Sequence, residues 1–398
     1  MRVGVVQLGT SLAQGALLCL VLALAPGCRK SGPAVSWRAR VGDVFDVVGA
    51  GDGLVLALGD GVLVALRDGK EVWTAPVPKH EGWVLPLAAQ GCALVALREP
   101  GELTCRGFAD GAEKWKASLA GIAEATPAPA PDAPPSREAP AAEPPAAYAA
   151  ALAPGGDVVL VLSDDRWATL APATCATGQP CLVASPSGAV RSSSSFDVLA
   201  IGADGLRILN RLENLRLYDA QGKRLATIDG STVYFAVAGR GGEVLAGIDD
   251  AIVRIAVSRC PGSQEPIAVG SAPGCVDRLA TAKDPSLGVV VDGDLVFVSD
   301  RNLRRAGSKT WTAAGVDAVG VPVAWGELVV TACGRETDDL LVSQADLCAV
   351  SAEDGRLRWR SKPELVRKGL LSDPVLVLDG DWLYAHFEGE LVALRMPR

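Results

Sequence analysis

Gly53-Leu-Val-Leu-Ala-Leu-Gly-Asp-Gly-Val-Leu-Val-Ala-Leu-Arg-Asp-Gly-Lys-Glu-Val-Trp73 is the stretch on which the fold turns. Two runs of Val, Leu and Ala are separated by Gly-Asp-Gly, and a second tight Asp68-Gly69 turn leads to a tryptophan. Short β-branched and aliphatic runs punctuated by Gly and Asp are strand and hairpin signals, because both residues accept turn conformations closed to others. The turn-plus-Trp ending returns as Asp110-Gly-Ala-Glu-Lys-Trp115 and Asp354-Gly-Arg-Leu-Arg-Trp359. It is degraded in Gly307-Ser-Lys-Thr-Trp311 and in Asp219-Ala-Gln-Gly-Lys-Arg-Leu225.

The positions Trp73, Trp115, Leu225, Trp311 and Trp359 set a step. Leu225 and Trp311 are 86 residues apart, or two steps of 43, which puts an intermediate member near Ile267. The 110 residues from Trp115 to Leu225 become two steps once a low-complexity insert is removed, with a member near Val183. Trp37, in Val35-Ser-Trp-Arg-Ala-Arg-Val41, supplies a further instance. Gly389-Glu-Leu-Val-Ala-Leu-Arg395 matches the third strand Gly61-Val-Leu-Val-Ala-Leu-Arg67, and no fourth strand follows it. A 43-residue step with four strands per unit predicts an all-β chain, an eight-bladed β-propeller of four-stranded blades over residues 35–398. The strand around Trp37 is expected to complete the last blade, and seven blades are the alternative. Closure removes the unpaired edges on which an open sheet aggregates.

The insert spans 124–147. Eight prolines in 21 residues between Ala125 and Pro145 forbid helix and sheet. It is read as a solvated loop between the second and third blades, with docking to an aromatic groove as the other possibility. The Ser192–Ser195 run reads as a loop as well.

The N-terminus reads as an export signal. Arg2 is the only charge before Cys28, and the apolar core Gly15–Ala25 has the length of a signal-peptide core, too short for a membrane span. Ala25-Pro-Gly-Cys28 is followed at once by Arg29 and Lys30. This resembles a bacterial lipoprotein signal, which implies cleavage after residue 27, a lipid on Cys28 and a tether over 28–34. Leu24 stands one place too far from the cysteine, and an ordinary secretory signal or uncleaved anchor is the competing reading. Arg29 after the cysteine is similar to lipoproteins sorted to the outer membrane, periplasmic side.

Nine cysteines remain beyond the signal. Eight are sequence neighbours in pairs, Cys92 with Cys105, Cys175 with Cys181, Cys260 with Cys275 and Cys333 with Cys348, as hairpin-sized disulfide loops would be. Three pairs are expected within blades two, three and seven, and the Cys260 pair at the junction of five and six. Buried free thiols are the competing reading. The odd cysteine is Cys28.

The repeat, with Gly-x-Leu-x-Ala-Leu before Asp-Gly-x-x-x-Trp, resembles that of the pyrroloquinoline-quinone-type propellers, and is most similar to the outer-membrane assembly lipoproteins of the BamB type. The resemblance implies that Trp37, Trp73, Trp115, Trp311 and Trp359 pack between blades. It implies a non-catalytic scaffold whose partners are envelope proteins, the β-barrel insertase and unfolded outer-membrane chains among them. A lipoprotein propeller with another partner is the alternative.

A quinone-dependent dehydrogenase is the rival from another class. Those enzymes resemble this chain in repeat but use adjacent cysteines and acidic calcium ligands, and no two cysteines here are adjacent. No Gly-x-Ser-x-Gly, His-Glu-x-x-His or phosphate loop occurs. Gly49-Ala-Gly-Asp-Gly53 precedes a strand pattern rather than a helix, unlike a dinucleotide turn. Asp292-Gly-Asp294 and Asp379-Gly-Asp381 are too compact for a calcium loop and read as hairpin turns. The two histidines, His80 in a connection and His386 in an alternating strand, form no pair with an evident task. No catalytic, cofactor or metal residues are expected. A net charge of −8 without a basic block argues against nucleic acid.

Overall fold

In the computed structural model, placement is described for residues 30–42, 44–79, 82–97, 101–123, 147–162, 167–179, 181–184, 198–211, 213–262, 265–335, 342–368, 375–387 and 389–396. Backbone pairing sorts these residues into antiparallel quartets that follow one another along the chain. Quartet 1 is Val44–Gly49, Leu54–Gly59, Val62–Arg67 and Lys70–Pro76; quartet 2 is Gly82–Leu87, Cys92–Leu97, Glu102–Gly107 and Glu113–Ser118. Quartet 3 is Ala147–Leu152, Val158–Leu162, Trp167–Leu170 and Leu182–Ala184. Quartet 4 comprises Val198–Ile201, Arg207–Arg211, Asn214–Tyr218 and Arg224–Asp229, and quartet 5 Val233–Ala238, Glu243–Ile248, Ala251–Ala256 and Val276–Thr281.

Quartets 6 and 7 share one long strand, Trp311–Trp325. Its start pairs with Asn302–Ala306, after Ser286–Val291 and Asp294–Ser299, and its end pairs with Leu328–Arg335, followed by Val342–Ser351 and Leu357–Lys368. Quartet 8 joins the two ends of the chain. Val375–Asp379, Trp382–Phe387 and Glu390–Arg395 are completed by Val35–Arg40, with Trp37 opposite Ala393.

The burial pattern explains why these segments are strands. Second strands are covered on both faces by neighbouring sheets, so Leu54–Gly59 and Asp294–Ser299 are buried at every position, and Leu54–Leu58 and Leu295–Val298 read as unbroken apolar runs. Fourth strands lie at the rim and alternate instead; Glu113–Ser118 buries only Trp115 and Ala117. Between successive quartets lies a cluster of buried aliphatic side chains, as where Leu54, Leu56 and Leu58 meet Val84, Ala93 and Val95. The last such cluster joins Tyr384, Leu391 and Ala393 of quartet 8 to Val47, Val55 and Ala57 of quartet 1. The fold is therefore a β-propeller of stacked sheets whose first and last members are in contact.

Three boundaries differ from the sequence reading. Ile267 is not the outer-strand position of quartet 5. That strand is Val276–Thr281, while Ile267–Ala268 pairs in parallel with Ile228 and Asp229 as a fifth strand of quartet 4. The displacement comes from the loop tied off by Cys260 and Cys275, which places this bond inside quartet 5, between its third and fourth strands, not at the junction of five and six. Ala147 is already a buried first-strand residue rather than the end of the insert, whose residues 124–146 lie outside the described ones. Within the tether, Lys30 and Ser31 are not free of the propeller: they pair in parallel with Trp359 and Arg360.

Candidate interaction surface

The recurring tryptophan and the recurring Asp-Gly turn meet across quartet boundaries. Trp73, 7% exposed on the fourth strand of quartet 1, donates its indole N–H to the Phe108 carbonyl, 2.8 Å away, in the third-to-fourth-strand turn of quartet 2. Trp311 makes the same bond, 3.0 Å, to Ala352 in the turn of quartet 7. Gly111 and Gly355, each three residues after the accepting carbonyl, lie flat against those indoles. The turns are set by Asp110 and Asp354, whose carboxylates accept the N–H groups of Ala112 and Arg356. Trp37 of quartet 8 covers Gly69 of quartet 1 in the same way. Trp115 and Trp359 are buried at the rims of quartets 2 and 7, and Trp359 is covered by Gly32 of the N-terminal segment. At the joints of quartets 1 and 2, 6 and 7, and 8 and 1, a large flat side chain packs directly against a glycine.

At the joint of quartets 6 and 7 a polar latch stands beside Trp311. Asp294 and Arg305 are both buried and paired at 2.8 Å. Asp294 also accepts from the Ser308 and Lys309 N–H groups and the Ser308 hydroxyl, while Arg305 donates to the carbonyls of Val291 and Ala352. Burial pushes the Asp294 carboxyl up, but these donors outweigh it and hold it below the usual carboxylate range. Asp292-Gly-Asp294 is thus a hairpin turn, with Asp292 and Gly293 at positive φ, whose last residue anchors the joint. On the first strand of quartet 1, burial raises the Asp46 carboxyl above its ordinary value, although the N–H groups of Val84 and Val47 oppose the shift. Hydrogen bonding to Asp284 raises the Tyr234 hydroxyl.

All four cysteine pairs are disulfide-bonded. Cys92–Cys105 and Cys333–Cys348 join second to third strands in quartets 2 and 7, with Cα separations of 5.8 and 5.9 Å. Cys175–Cys181 and Cys260–Cys275 close third-to-fourth-strand loops in quartets 3 and 5, at 4.9 and 4.6 Å. Cys28, His80 and Ser192–Ser195 lie outside the described residues. His386 sits on Trp382–Phe387 opposite Leu391 and Val375. Among the described residues no group of three His, Cys, Asp or Glu side chains is placed to hold a metal ion.

What the rim offers chemically is backbone. The fourth strands of quartets 1, 2, 3, 5 and 8 each end their sheet among the described residues, whereas those of quartets 4 and 7 are extended by a parallel two-residue strand of the same chain. Strand addition to a sheet edge is a recognised mode of peptide capture. Most of the open edges carry charges, as Lys70, Glu71, Glu113 and Lys116 do, which guards against indiscriminate pairing. Leu182–Ala184 carries none, and its Val183 is 64% exposed. The sequence pointed to the tryptophans and cysteines; it contained no signal for which edges would be occupied, because the pairing partners are far apart along the chain.

No curated protein matches the chain. Among solved structures, BamB from Moraxella catarrhalis is similar over 92% of this chain and 98% of its own, with 14% identity and a TM-score of 0.51. Sqt1 from Saccharomyces cerevisiae is similar over 92% of this chain and all of its own, with 10% identity and a TM-score of 0.57. At such identities the likeness speaks for the propeller fold alone. The family model described as outer membrane protein assembly factor BamB matches residues 59–180 and 261–397. With most of its length matched, the chain belongs to the BamB family.

Proposed function

We propose that the chain is a non-catalytic scaffold of the bacterial envelope, which takes part in outer-membrane β-barrel assembly by binding protein partners. In this reading residues 1–27 export it and a lipid on Cys28 holds it at the outer membrane, facing the periplasm. The observation that carries the reading is the family match over residues 59–180 and 261–397. The open outer strands supply a means, since an extended outer-membrane chain can pair with a sheet edge irrespective of its sequence. The edge at Leu182–Ala184 is the least guarded and is where such pairing would start. Among the described residues no helix is long and apolar enough to cross a membrane.

Affinity capture of the tagged, detergent-solubilised protein tests the role. Recovery of the β-barrel insertase is expected; its absence from a capture in which the bait is intact overturns the assembly role. Fractionation of a Cys28→Ser variant tests the anchor. Release into the soluble periplasmic fraction is expected, and undiminished retention in the membrane refutes it.

A further inference from the structure

We propose that the rim of quartets 7 and 8 lies on the membrane, its basic outer strands facing anionic lipid headgroups. The inference rests on the anchor proposed above. Its first support is where the chain leaves the propeller. Lys30 and Ser31 pair in parallel with Trp359 and Arg360, the Gly32 N–H donates to the Arg360 carbonyl at 3.1 Å, and the Ser361 hydroxyl donates to the Pro33 carbonyl at 2.7 Å. Gly32 is fitted so closely that a Cβ would stand 2.5 Å from the Trp359 ring. The segment then enters Val35–Arg40, the outer strand of quartet 8. The exit point is therefore held by backbone pairing. Lys30 is two residue steps from Cys28, with only Arg29 between them, and at ~3.5 Å per residue a lipidated Cys28 is within about 7 Å of this rim. A tether so short leaves the ring little freedom to present another side to the bilayer.

The second support is charge. The protein as a whole carries −8, yet the described stretch Leu357–Ser361 brings Arg358 and Arg360 to this rim with no acid of its own, and Val35–Arg40 brings Arg38 and Arg40, also without an acid. Arg38 and Arg40 are exposed, and Arg358 is 52% exposed at its side chain. Glu390, Asp354 and Asp346 stand beside Arg38, Arg358 and Arg360 and offset part of this charge, without reversing it. A basic strip at the anchor of an acidic protein fits anionic headgroups, which attract each nearby Lys or Arg by a factor of about five in occupancy.

The test uses the full lipidated protein in vesicles of three parts phosphatidylethanolamine to one part phosphatidylglycerol. A benzophenone amino acid replaces Ser36, on the proposed face, or Val183, on the outer strand of quartet 3. Lipid adducts are expected at least tenfold more often from position 36. Replacing Arg38, Arg40 and Arg358 together by Gln is expected to lower that yield several-fold, with circular dichroism unchanged. Equal adducts from both positions, in a protein whose intact mass includes the lipid on Cys28, overturn the orientation alone. A mass without the lipid overturns the anchor and this inference with it. Photolysis in isolated cell membranes that links position 36 chiefly to a protein overturns the lipid assignment in favour of an acidic protein partner.

Discussion

Gly111 lies against the six-membered ring of Trp73, close enough that a Cβ on Gly111 would stand 2.6 Å from the indole. Its φ of +69° adds a second constraint, because an L side chain is strained there. Gly111→Ala is therefore expected to cost roughly 2–4 kcal/mol, from αL strain of about 1 kcal/mol plus overpacking of about 1–3 kcal/mol. Gly241→Ala is the control. Gly241 shares a positive φ of +63° but has nothing within 4 Å of the added carbon, so only the strain should register. Urea denaturation of the two variants separates packing from backbone strain, and equal losses would show that the Trp73 contact contributes little.

The buried Asp294–Arg305 pair of quartet 6 reaches the Ala352 carbonyl of quartet 7 beside Trp311. Asp294→Asn keeps the shape of the side chain but leaves the Arg305 charge without its counter-ion in a buried site, for which the expected loss is about 3–5 kcal/mol. The sign of the pH dependence follows from the lowered carboxyl. A group with a folded-state pKa below its unfolded value adds stability at pH above the unfolded value, near 4, and loses it as pH falls through the folded value. Wild type is thus expected to lose more stability on acidification below pH 4 than Asp294→Asn does, measured as the denaturation midpoint against pH.

Much of this architecture was legible in the sequence, and the gaps have physical causes. Leu54–Gly59 reads as a strand because burial on both faces demands an apolar run, and Asp68-Gly69 reads as a turn because few other residues accept its geometry. Quartet 5 was misplaced because its outer strand, Val276–Thr281, lacks the tryptophan that marks quartets 1, 2, 6, 7 and 8 and stands beyond the loop closed by Cys260 and Cys275. Asp294 looked like a turn residue, which it is. Its second role depends on Arg305 and on the Ala352 carbonyl, a contact that spacing cannot reveal. The docking of Lys30 and Ser31 on Trp359 and Arg360 was equally invisible, since it joins positions at opposite ends of the chain. The rim became a candidate surface only once its occupied and open edges could be told apart.

Asp46 gives the opposite pH signature. Burial raises its carboxyl, so the unfolded chain ionises it more readily than the folded one does. Its contribution is fully present below the unfolded value and is lost as pH rises through the raised folded value. Asp46→Asn removes that loss while an amide oxygen can still accept the Val84 N–H, 2.9 Å from the carboxylate in wild type. Above pH 4 the variant is expected to show a flatter stability profile than wild type. A parallel pair of profiles would mean that Asp46 ionises alike in both states.

The Cys260–Cys275 bond pins the two ends of a loop whose middle, Ile267–Ala268, adds a strand to quartet 4. Closing a loop of 15 residues restricts the unfolded chain by about 3 kcal/mol and, in the folded state, limits how far Ile267 can move from Ile228. Replacing both cysteines by Ala should lower global stability by roughly that amount. A local effect is expected as well. Amide hydrogen exchange in Arg224–Asp229, the strand that Ile267–Ala268 covers, should quicken relative to Arg207–Arg211 in the middle of the same sheet. The comparison within one quartet corrects for the global loss, which acts on both strands alike. Equal acceleration in both strands would mean that the pairing at Ile228 and Asp229 survives without the bond, held by the burial of Ile267 alone.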